Sequence, residues 1–538
     1  MRMAERLDYR ITAGILVLAA IAILIGGAFL GLLLEAGRDW SGALSAFDSY
    51  MLRVARFTLL QAVLSTLLSV LPAILVARAL SRHPAFPGRG LILKLFAVPL
   101  ALPAIVAALG VLALYGRAGL FADAFSAIGG GRWPGIYGLS GILVAHVFFN
   151  LPLATRLLLG ALETIPADQW RLASQLGMGA RASFRFIEWP VLRASLPGVA
   201  GLVFMLCVTS FTIVLTLGGG PAATTLEVAI YQALRFDFDP ARAVALTALQ
   251  IVLTVSALLA LGRFGAGLAG EAGFSVAPRR FAAVGGSETL ANGAVIALAL
   301  LFVAGPMAAT VAAGLGADLA RLAGEPAVLK ATAISLVLAS LAAALCVLFA
   351  ASLVVARRRL ELVRRGGAKS LLERVTDSGA GLVLVVPPIV IGAGWFILMR
   401  HVTDVFAVAP AMVVTVNAVM TMPFAIRAIR PAHDAASERH EKLCAQLGIS
   451  GWNRLRLVDW PVLRRPLTTG FAFAMALSLG DLGVIALFGS DSVQTLPYLL
   501  LSRMGSYRTQ DAAGLALFLG LLCLMLMMLA ERLGRARG

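Results

Sequence analysis

Residues 172–193 read LASQLGMGARASFRFIEWPVLR, and residues 443–464 read LCAQLGISGWNRLRLVDWPVLR. The two stretches align without a gap at an offset of 271 residues, about half of the 538-residue chain, and share ten identities in 22 positions. Both are polar and contain arginine, whereas the sequence around them is mostly apolar. The repeat therefore predicts one equivalent surface in each half of the molecule.

The chain as a whole has the composition of a membrane protein. Hydrophobic residues make up 60% of it and charged residues 14%, whereas a soluble domain carries about 25% charged residues. We therefore predict an all-α polytopic membrane protein. Twelve apolar runs approach the roughly 20 residues that cross a bilayer core, at 12–34, 57–80, 92–115, 139–162, 196–217, 243–262, 289–313, 331–356, 379–399, 409–429, 468–489 and 512–530.

The basic residues set the predicted orientation. If the N-terminus is cytoplasmic, thirty-three of the forty-five Lys and Arg residues fall on the cytoplasmic side and twelve on the other. This asymmetry follows the positive-inside rule, and it places both termini and both repeated stretches in the cytoplasm. The formal net charge of +17 thus reflects topology, and we expect no nucleic-acid partner.

The repeat extends into the neighbouring helices and divides the chain into halves. Each half is predicted to hold six helices, with the repeated stretch between the fourth and the fifth, which makes this a parallel repeat. The predicted domains are residues 1–270 and 289–538, joined by a cytoplasmic linker at 271–288. Further matches at the same offset are Pro152, Ala154 and Arg156 with Pro423, Ala425 and Arg427.

Each repeated stretch is predicted to form two short helices that meet at a glycine. In the first copy, Thr164 is a plausible N-cap for a helix over 166–176, with Leu172, Ala173 and Leu176 at apolar helical spacing. Gly177 is the predicted stop of that helix, and a second short helix is predicted over 181–189. The later copy repeats this scheme, with Gly448 at the turn.

Both copies keep the same spacing around this glycine. The first gives Arg171-Leu172-Ala173, three residues, Gly177, nine residues and then Ile187 to Pro190; the second gives Lys442-Leu443-Cys444, Gly448 and then Val458 to Pro461 at the same intervals. The pattern resembles the cytoplasmic loop of permease subunits of ATP-binding-cassette importers, written Glu-Ala-Ala, three residues, Gly, nine residues, Ile-x-Leu-Pro. Here Arg171 and Lys442 replace the family's glutamate, and tryptophan replaces its leucine.

The resemblance implies a type I importer permease fold and a partner. In that family, the short helix of the loop sits in a cleft of the ATP-binding subunit and passes nucleotide-driven closure to the membrane helices. Two loops then imply two copies of that subunit. The alternative is a basic hairpin that only enforces topology, and two copies with matched spacing argue against it.

ATP hydrolysis is not expected in this chain. A phosphate-binding loop needs Gly-x-x-x-x-Gly-Lys-Ser/Thr, and none of the four lysines, at 94, 330, 369 and 442, follows a glycine. We therefore expect no cofactor in this chain and assign ATP and Mg to the partner subunits. The four cysteines are scattered and form no metal-binding pattern, and we expect a transport subunit rather than an enzyme.

Longer strings narrow the resemblance. They lie at 143–152 (LVAHVFFNLP), 215–225 (LTLGGGPAATT), 230–234 (IYQAL), 237–242 (DFDPAR), 478–483 (SLGDLG) and 505–511 (GSYRTQD). The chain resembles, over nearly its whole length, the fused permeases of bacterial importers for thiamine and thiamine diphosphate. This implies an inner-membrane protein served by a periplasmic substrate-binding protein.

Other classes fit less of the sequence. Fused permeases for ferric iron share the architecture and are the alternative substrate class. An ion-driven secondary transporter with twelve helices would also show parallel repeats, but it would need no separate ATPase. A polytopic membrane enzyme would need a convergent catalytic set, and no such spacing is visible.

Asp481 is the candidate pathway residue, because it lies in the eleventh apolar run. An ionised residue at mid-membrane costs on the order of 3 kcal/mol and should face protein or water. Its counterpart is Ser210, and an anion opposite hydroxyl groups would suit a cation such as thiazolium. Asp481 could equally cap a helix break between Gly480 and Gly483. His146 and Asn150, also candidates for the pathway, favour an interhelical hydrogen bond over substrate contact.

The segments before the last helix of each half are candidates for docking the binding protein on the outer face. They hold polar and aromatic residues that suit a protein contact, although solvated loop tips would look similar. The candidate docking residues are Tyr231, Asp237, Asp239, Tyr507 and Arg508.

Overall fold

The computed structural model describes residues 9–38, 41–42, 47–129, 131–263, 285–364, 368–376, 386–449 and 451–535. These residues form helices, turns and loops, and no β-strand occurs among them. The predicted all-α class is confirmed. Most of the predicted linker, residues 271–284, lies outside the described residues.

The first half of the sequence contains the following α-helices among its described residues. They are α1 Tyr9–Arg38, α2 Ser49–Arg82, α3 Arg89–Leu95, α4 Val98–Ala101, α5 Ala104–Tyr115, α6 Leu120–Ala127, α7 Leu139–Glu163, α8 Ala167–Gln175, α9 Ala180–Ser183, α10 Trp189–Val208, α11 Thr212–Leu217, α12 Leu226–Arg235 and α13 Pro240–Arg263. A π-helical turn, Phe184–Glu188, joins α9 to α10, and a 3₁₀ turn covers Pro221–Ala223.

The second half forms ten numbered α-helices among its described residues, and residues 371–376 are also helical. They are α14 Gly286–Leu315, α15 Leu319–Gly324, α16 Pro326–Val363, α17 Pro388–Met399, α18 Ala409–Gln446, α19 Gly451–Arg454, α20 Trp460–Leu479, α21 Gly483–Phe488, α22 Leu496–Gly505 and α23 Thr509–Arg535. A π-helical turn, Leu455–Asp459, joins α19 to α20.

Ten helical stretches of the described chain are long and apolar enough to cross a membrane. The predicted ninth run is represented by the short helix α17, which follows Pro387 and begins at Pro388. The eleventh run is divided at Asp481 into α20 and α21. A polar break thus divides the eleventh predicted segment, and the first part of the ninth, residues 379–385, lies outside the described residues.

The helices group into two compact units. Unit A comprises residues 1–46, 230–247 and 318–538, and unit B comprises residues 47–229 and 248–317. Within unit A, α1 packs on α16 and α17; within unit B, α14 packs on α2 and α5. The first helix of each sequence half therefore belongs to the unit built mainly from the other half. The predicted boundaries 1–270 and 289–538 divide the sequence by its repeat and stay a prediction.

Glycines allow close approach where these first helices pack. A Cβ added at Gly31 of α1 would lie 2.3 Å from the Gly394 carbonyl oxygen of α17. In unit B, a Cβ added at Gly110 of α5 would lie 2.3 Å from Thr310 Oγ1 of α14. Membrane helices associate through such small residues, because lipid supplies no hydrophobic driving force between them.

Gly31→Val should destabilise unit A by about 1–3 kcal/mol, the usual cost of overpacking. The added side chain would meet backbone, which cannot move aside as a flexible side chain can. Gly26→Val is the matched control on the same helix, because nothing lies within 4 Å of a Cβ built there. Thermal unfolding in detergent measures the stability of both variants. Equal unfolding midpoints for Gly31→Val and Gly26→Val would contradict the prediction.

The core of unit B lies between α2, α7, α10 and α14. Leu80, Phe148 and Leu192 are each fully buried in one hydrophobic cluster, and Val303 of α14 belongs to the same cluster. This core holds the helices on which the first repeated stretch is mounted.

Candidate coupling loops and polar pathway

The first repeated stretch, 172–193 with its lead-in from Glu163, is called loop 1. Helix α8 follows Pro166, which has no N–H to give to a preceding helix and so breaks the chain after α7. The predicted N-cap is wrong: Pro166 occupies that place, and the Thr164 hydroxyl donates to the Ala161 carbonyl oxygen at 2.8 Å.

Gly177 ends α8 as predicted. Its φ of +64° is left-handed, and the N–H of Met178 donates to the Ala173 carbonyl oxygen at 3.0 Å. This is the bonding of a Schellman motif, in which glycine is the favoured residue. The predicted second short helix, 181–189, is instead the start of a longer one: α9 and its π turn run directly into α10.

The second repeated stretch, 443–464, is called loop 2. The chain that leads into it differs from the chain that leads into loop 1. Helix α18 continues without a break to Gln446. The residue equivalent to Pro166 is Ser437, which keeps its N–H and lets the helix go on. Gly448, with a φ of +63°, then ends the helix as predicted.

Four apolar side chains are exposed at matched positions in both loops, and we call them the exposed apolar set. Each pair is separated by 271 residues. Such side chains at the surface of a polar loop are typical of a protein contact. The exposed fractions are 55% and 51% for Leu172 and Leu443, 67% and 62% for Leu176 and Leu447, 65% and 63% for Phe186 and Leu457, and 39% and 56% for Trp189 and Trp460.

The other face of α8 packs inward. Trp170 and Ala173 are each only 4% exposed, so the apolar spacing predicted for the helix is divided between two faces. Ala173 supports the loop from within, whereas Arg171 is exposed and pairs with Asp168 at 3.2 Å.

The remaining predicted loop residues lie at the start of the membrane-entering helices. Ile187 and Val458 are half-buried in the two π turns, and Pro190 and Pro461 are exposed at the second positions of α10 and α20. Lys442 lies in α18, but its side chain is outside the described residues.

A buried carboxylate anchors loop 1. Glu188 is fully buried and accepts hydrogen bonds from Arg78 Nε at 2.7 Å and Arg82 Nε at 3.1 Å, both on α2. The same two arginines donate through Nη2 to the Ala180 carbonyl oxygen, at 3.3 Å and 3.1 Å. Loop 1 is therefore fixed to α2 by charge-assisted hydrogen bonds at the first residue of α9 and at the last residue of the π turn.

Loop 2 is fixed by a different pair. Arg454 donates to both carboxylate oxygens of Glu441, at 2.9 Å and 2.5 Å. Asp459, the counterpart of Glu188, lies 3.7 Å from Arg454 Nε and is 21% exposed. The anchor of loop 2 is thus contained between α18 and the loop itself.

In unit B the predicted pathway residues form a hydrogen-bonded chain. His146 Nδ1 lies 2.9 Å from Ser65 Oγ, and His146 Nε2 lies 2.8 Å from Ser210 Oγ. Asn150 Nδ2 donates to Cys207 Sγ at 3.4 Å. His146 and Asn150 are buried, at 2% and 4% exposed. Their hydrogen bonds join neighbouring helices, as the interhelical interpretation predicts. Ser210 lies in the break between α10 and α11.

In unit A the equivalent break contains Asp481. Its Oδ1 accepts a hydrogen bond from the Gly483 N–H at 3.4 Å, which agrees with the capping interpretation. Its Oδ2 is buried and has no hydrogen-bond partner among the described residues. A carboxylate oxygen without a partner at a helix break is available for a ligand.

Some of the predicted docking residues in the outer segments are exposed and others are not. Tyr231 is 6% exposed and packs edge-on against Phe236, so it cannot belong to a docking surface. Asp239 accepts from the Arg242 N–H at 2.9 Å and caps α13. The exposed residues are Asp237, Tyr507 and Arg508.

Comparison with known proteins decides the family. Residues 367–536 match the family described as binding-protein-dependent transport system inner membrane component. The thiamine transport system permease protein ThiP of Brucella abortus is 62% identical over 527 residues, which covers 98% of this chain and 95% of that relative. The chain belongs to the family of thiamine transport system permease proteins.

Two more distant members are similar over nearly their whole length. ThiP of Escherichia coli is 43% identical over 514 residues, 94% of this chain and 93% of that protein. ThiP of Haemophilus influenzae is 37% identical over 517 residues, 95% and 94% of the two chains. The chain is therefore a multi-pass inner-membrane transport subunit with the predicted importer-permease fold.

Sequence reasoning missed the anchor of loop 1 in this permease. The signal was an acidic residue directly before Trp-Pro in both copies, Glu188 and Asp459. Its partners, Arg78 and Arg82, lie 110 and 106 residues earlier in the chain, and no local pattern connects them.

Proposed function

We propose that this chain is the membrane permease of an ATP-driven, binding-protein-dependent importer that carries thiamine, its phosphates, or both across the inner membrane. The observation that supports the substrate most is 62% identity, over 98% of this chain, to a thiamine transport system permease protein. A ferric-iron permease is less favoured, because the near full-length relatives described above bear the thiamine name.

Two copies of an ATP-binding subunit are proposed to dock on the cytoplasmic side, one on each loop. The exposed apolar set supports this, since each loop presents the same four positions at similar exposure. ATP and Mg belong to those subunits and not to this chain. Both termini are proposed to be cytoplasmic, as the distribution of basic residues indicates.

The loops are built to transmit movement. Each π turn continues directly into a 20-residue helix, α10 or α20, which is about 30 Å long at 1.5 Å per residue. These helices end at the breaks that hold Ser210 and Asp481. Closure of the ATP-binding subunits would therefore move the polar breaks and switch the path between outward and inward access.

The substrate path is proposed to pass Ser210 and Asp481, with His146 and Asn150 fixing the helices beside Ser210. Thiamine carries a thiazolium cation, and the unpaired Oδ2 of Asp481 supplies a negative charge for it. Selectivity is expected mainly from the binding protein, so the permease needs only a weak site.

Reconstituted transport tests the proposal. Proteoliposomes containing this chain and its ATP-binding subunits should accumulate labelled thiamine only with ATP inside and with the loaded binding protein outside. Uptake of ferric iron instead of thiamine, or uptake driven by an ion gradient without ATP, would overturn it.

Asp481→Asn should reduce thiamine uptake by at least about tenfold, since one ion pair at an effective dielectric of about 20 is worth more than 1.4 kcal/mol. Asparagine keeps a carbonyl oxygen that can accept from the Gly483 N–H, so the capping role is preserved and only the charge is lost. Initial uptake rates and substrate-stimulated ATPase activity measure the effect. Unchanged values would remove Asp481 from the path.

A further inference from the structure

The turns between the last two helices of each half share an unusual backbone. Within the described ranges, Phe238 and Tyr507 are the non-glycine residues with positive φ, at 52° and 58°. Each stands two residues before the final helix of its half, α13 or α23. Both belong to unit A. The same conformation therefore occurs at the same distance before the final helix of each half.

This conformation is unfavourable for a bulky side chain, because its Cβ approaches the following carbonyl group. Around Tyr507, the N–H of Tyr507 donates to the Met504 carbonyl oxygen at 3.2 Å and that of Arg508 to the Arg503 carbonyl oxygen at 3.0 Å. These are the two bonds of a Schellman motif, and glycine is the usual residue at its left-handed position. Glycine would form the same turn without strain.

The strained side chains gain no burial in return. Phe238 is 80% exposed and Tyr507 is 92% exposed. Strain at an exposed position persists where function needs it, and exposed aromatic rings are frequent anchors of protein interfaces. Each of the two turns thus holds an exposed aromatic side chain in place.

The surroundings favour a protein partner over the bilayer. Phe238 is flanked by two carboxylates, Asp237 and Asp239, and Tyr507 is followed by Arg508. Phe238 also borders a cavity of about 370 Å³ whose other lining residues include Arg400, Asp404 and Phe406. An aromatic anchor beside charges of both signs and a recess matches the anatomy of a protein interface.

We infer that Phe238 and Tyr507 are a pair of aromatic anchors, one from each sequence half, that seat the substrate-binding protein on the outer face. The inference rests on the proposed function, because it requires that a binding protein delivers the substrate.

Glycine substitution separates an anchor from a structural residue. Phe238→Gly and Tyr507→Gly remove the ring and also relieve the backbone strain, so the permease should keep or raise its thermal stability. Binding of the thiamine-loaded binding protein should weaken at least tenfold for each variant and further for the double variant. Phe238→Tyr and Tyr507→Phe keep a ring and should retain tight binding.

The measurement is binding of the loaded binding protein to the assembled importer in nanodiscs. If the wild-type importer itself fails to bind, the proposed function fails. If the wild type binds and both glycine variants bind as tightly, the anchor inference is wrong. Unchanged binding is also the result expected if the two rings insert into lipid instead of contacting a protein. In that case, labelled lipid should quench the fluorescence of Tyr507 in the wild type, and this quenching should be lost in Tyr507→Gly.

Discussion

Replacing Leu176 and Leu447 together by aspartate should release the ATP-binding subunits and abolish thiamine uptake. Both side chains are more than half exposed, at 67% and 62%, and both belong to the last turn before the glycine that ends the loop helix. Interface anchors of this kind contribute about 2 kcal/mol or more each, which corresponds to roughly a thirtyfold loss of affinity per site. Co-purification and coupled ATPase activity measure the loss.

The matched control keeps the site apolar. Leu176→Met with Leu447→Met preserves volume and hydrophobicity, and it should retain the partner subunits and transport. Because the aspartates would replace side chains that face away from the fold, the permease itself should remain folded and monodisperse. A double aspartate variant that still holds its ATP-binding subunits would show that they dock elsewhere.

Single variants test whether the two loops are equivalent. The exposed apolar set has the same four positions in each loop, so Leu176→Asp alone and Leu447→Asp alone should weaken assembly by similar amounts. A large difference would mean that one loop carries most of the contact.

The glycines of the loops could be predicted because their reason is local. Gly177 and Gly448 each follow an apolar helical pattern, and both adopt the left-handed conformation that suits a helix end. The N-cap prediction for Thr164 is wrong for an equally local reason. Threonine is a good capping residue, but Pro166, two residues later, is where the helix can begin.

The orientation of the loop helix could not be predicted. The spacing of Leu172, Ala173 and Leu176 indicates an apolar stripe, yet Ala173 is buried while Leu172 and Leu176 are exposed. A hydrophobic pattern identifies side chains that avoid water, and it does not distinguish the fold's own core from the surface kept for a partner. Here, the matching exposure of the same apolar positions in both copies of the repeat identifies them as a surface for a partner.

The packing of helices that are distant in the sequence could not be predicted either. The repeat divides the chain near its middle, but α1 packs on α16 and α17, and α14 packs on α2 and α5. The close contact depends on single glycines such as Gly31 and Gly110, among the 54 glycines of the chain. Nothing in their neighbourhood marks which glycine meets another helix.

Glu188→Gln should destabilise the permease far more than Asp459→Asn, although the two residues are equivalent in the repeat. Glu188 is fully buried between Arg78 and Arg82, and Arg82 is itself 5% exposed. Arg82 keeps its second ion pair, with Glu288, but Arg78 loses the carboxylate that it contacts. The cost should therefore lie between the roughly 1 kcal/mol of an exposed pair and the 3–5 kcal/mol of a fully uncompensated buried charge. We therefore expect a clear fall in the thermal midpoint of the Glu188→Gln variant.

Asp459→Asn is the natural control. Asp459 is 21% exposed and lies 3.7 Å from Arg454, which keeps its two hydrogen bonds to Glu441. Its loss should cost about 1 kcal/mol, because the contact is long and Arg454 keeps its carboxylate partner Glu441. Loop 1 should also lose its fixed position on α2, so an importer assembled with the Glu188→Gln permease should hydrolyse ATP in its ATP-binding subunits with little uptake. Equal midpoints and equal coupling in the two variants would mean that the anchors are interchangeable, contrary to their different burial.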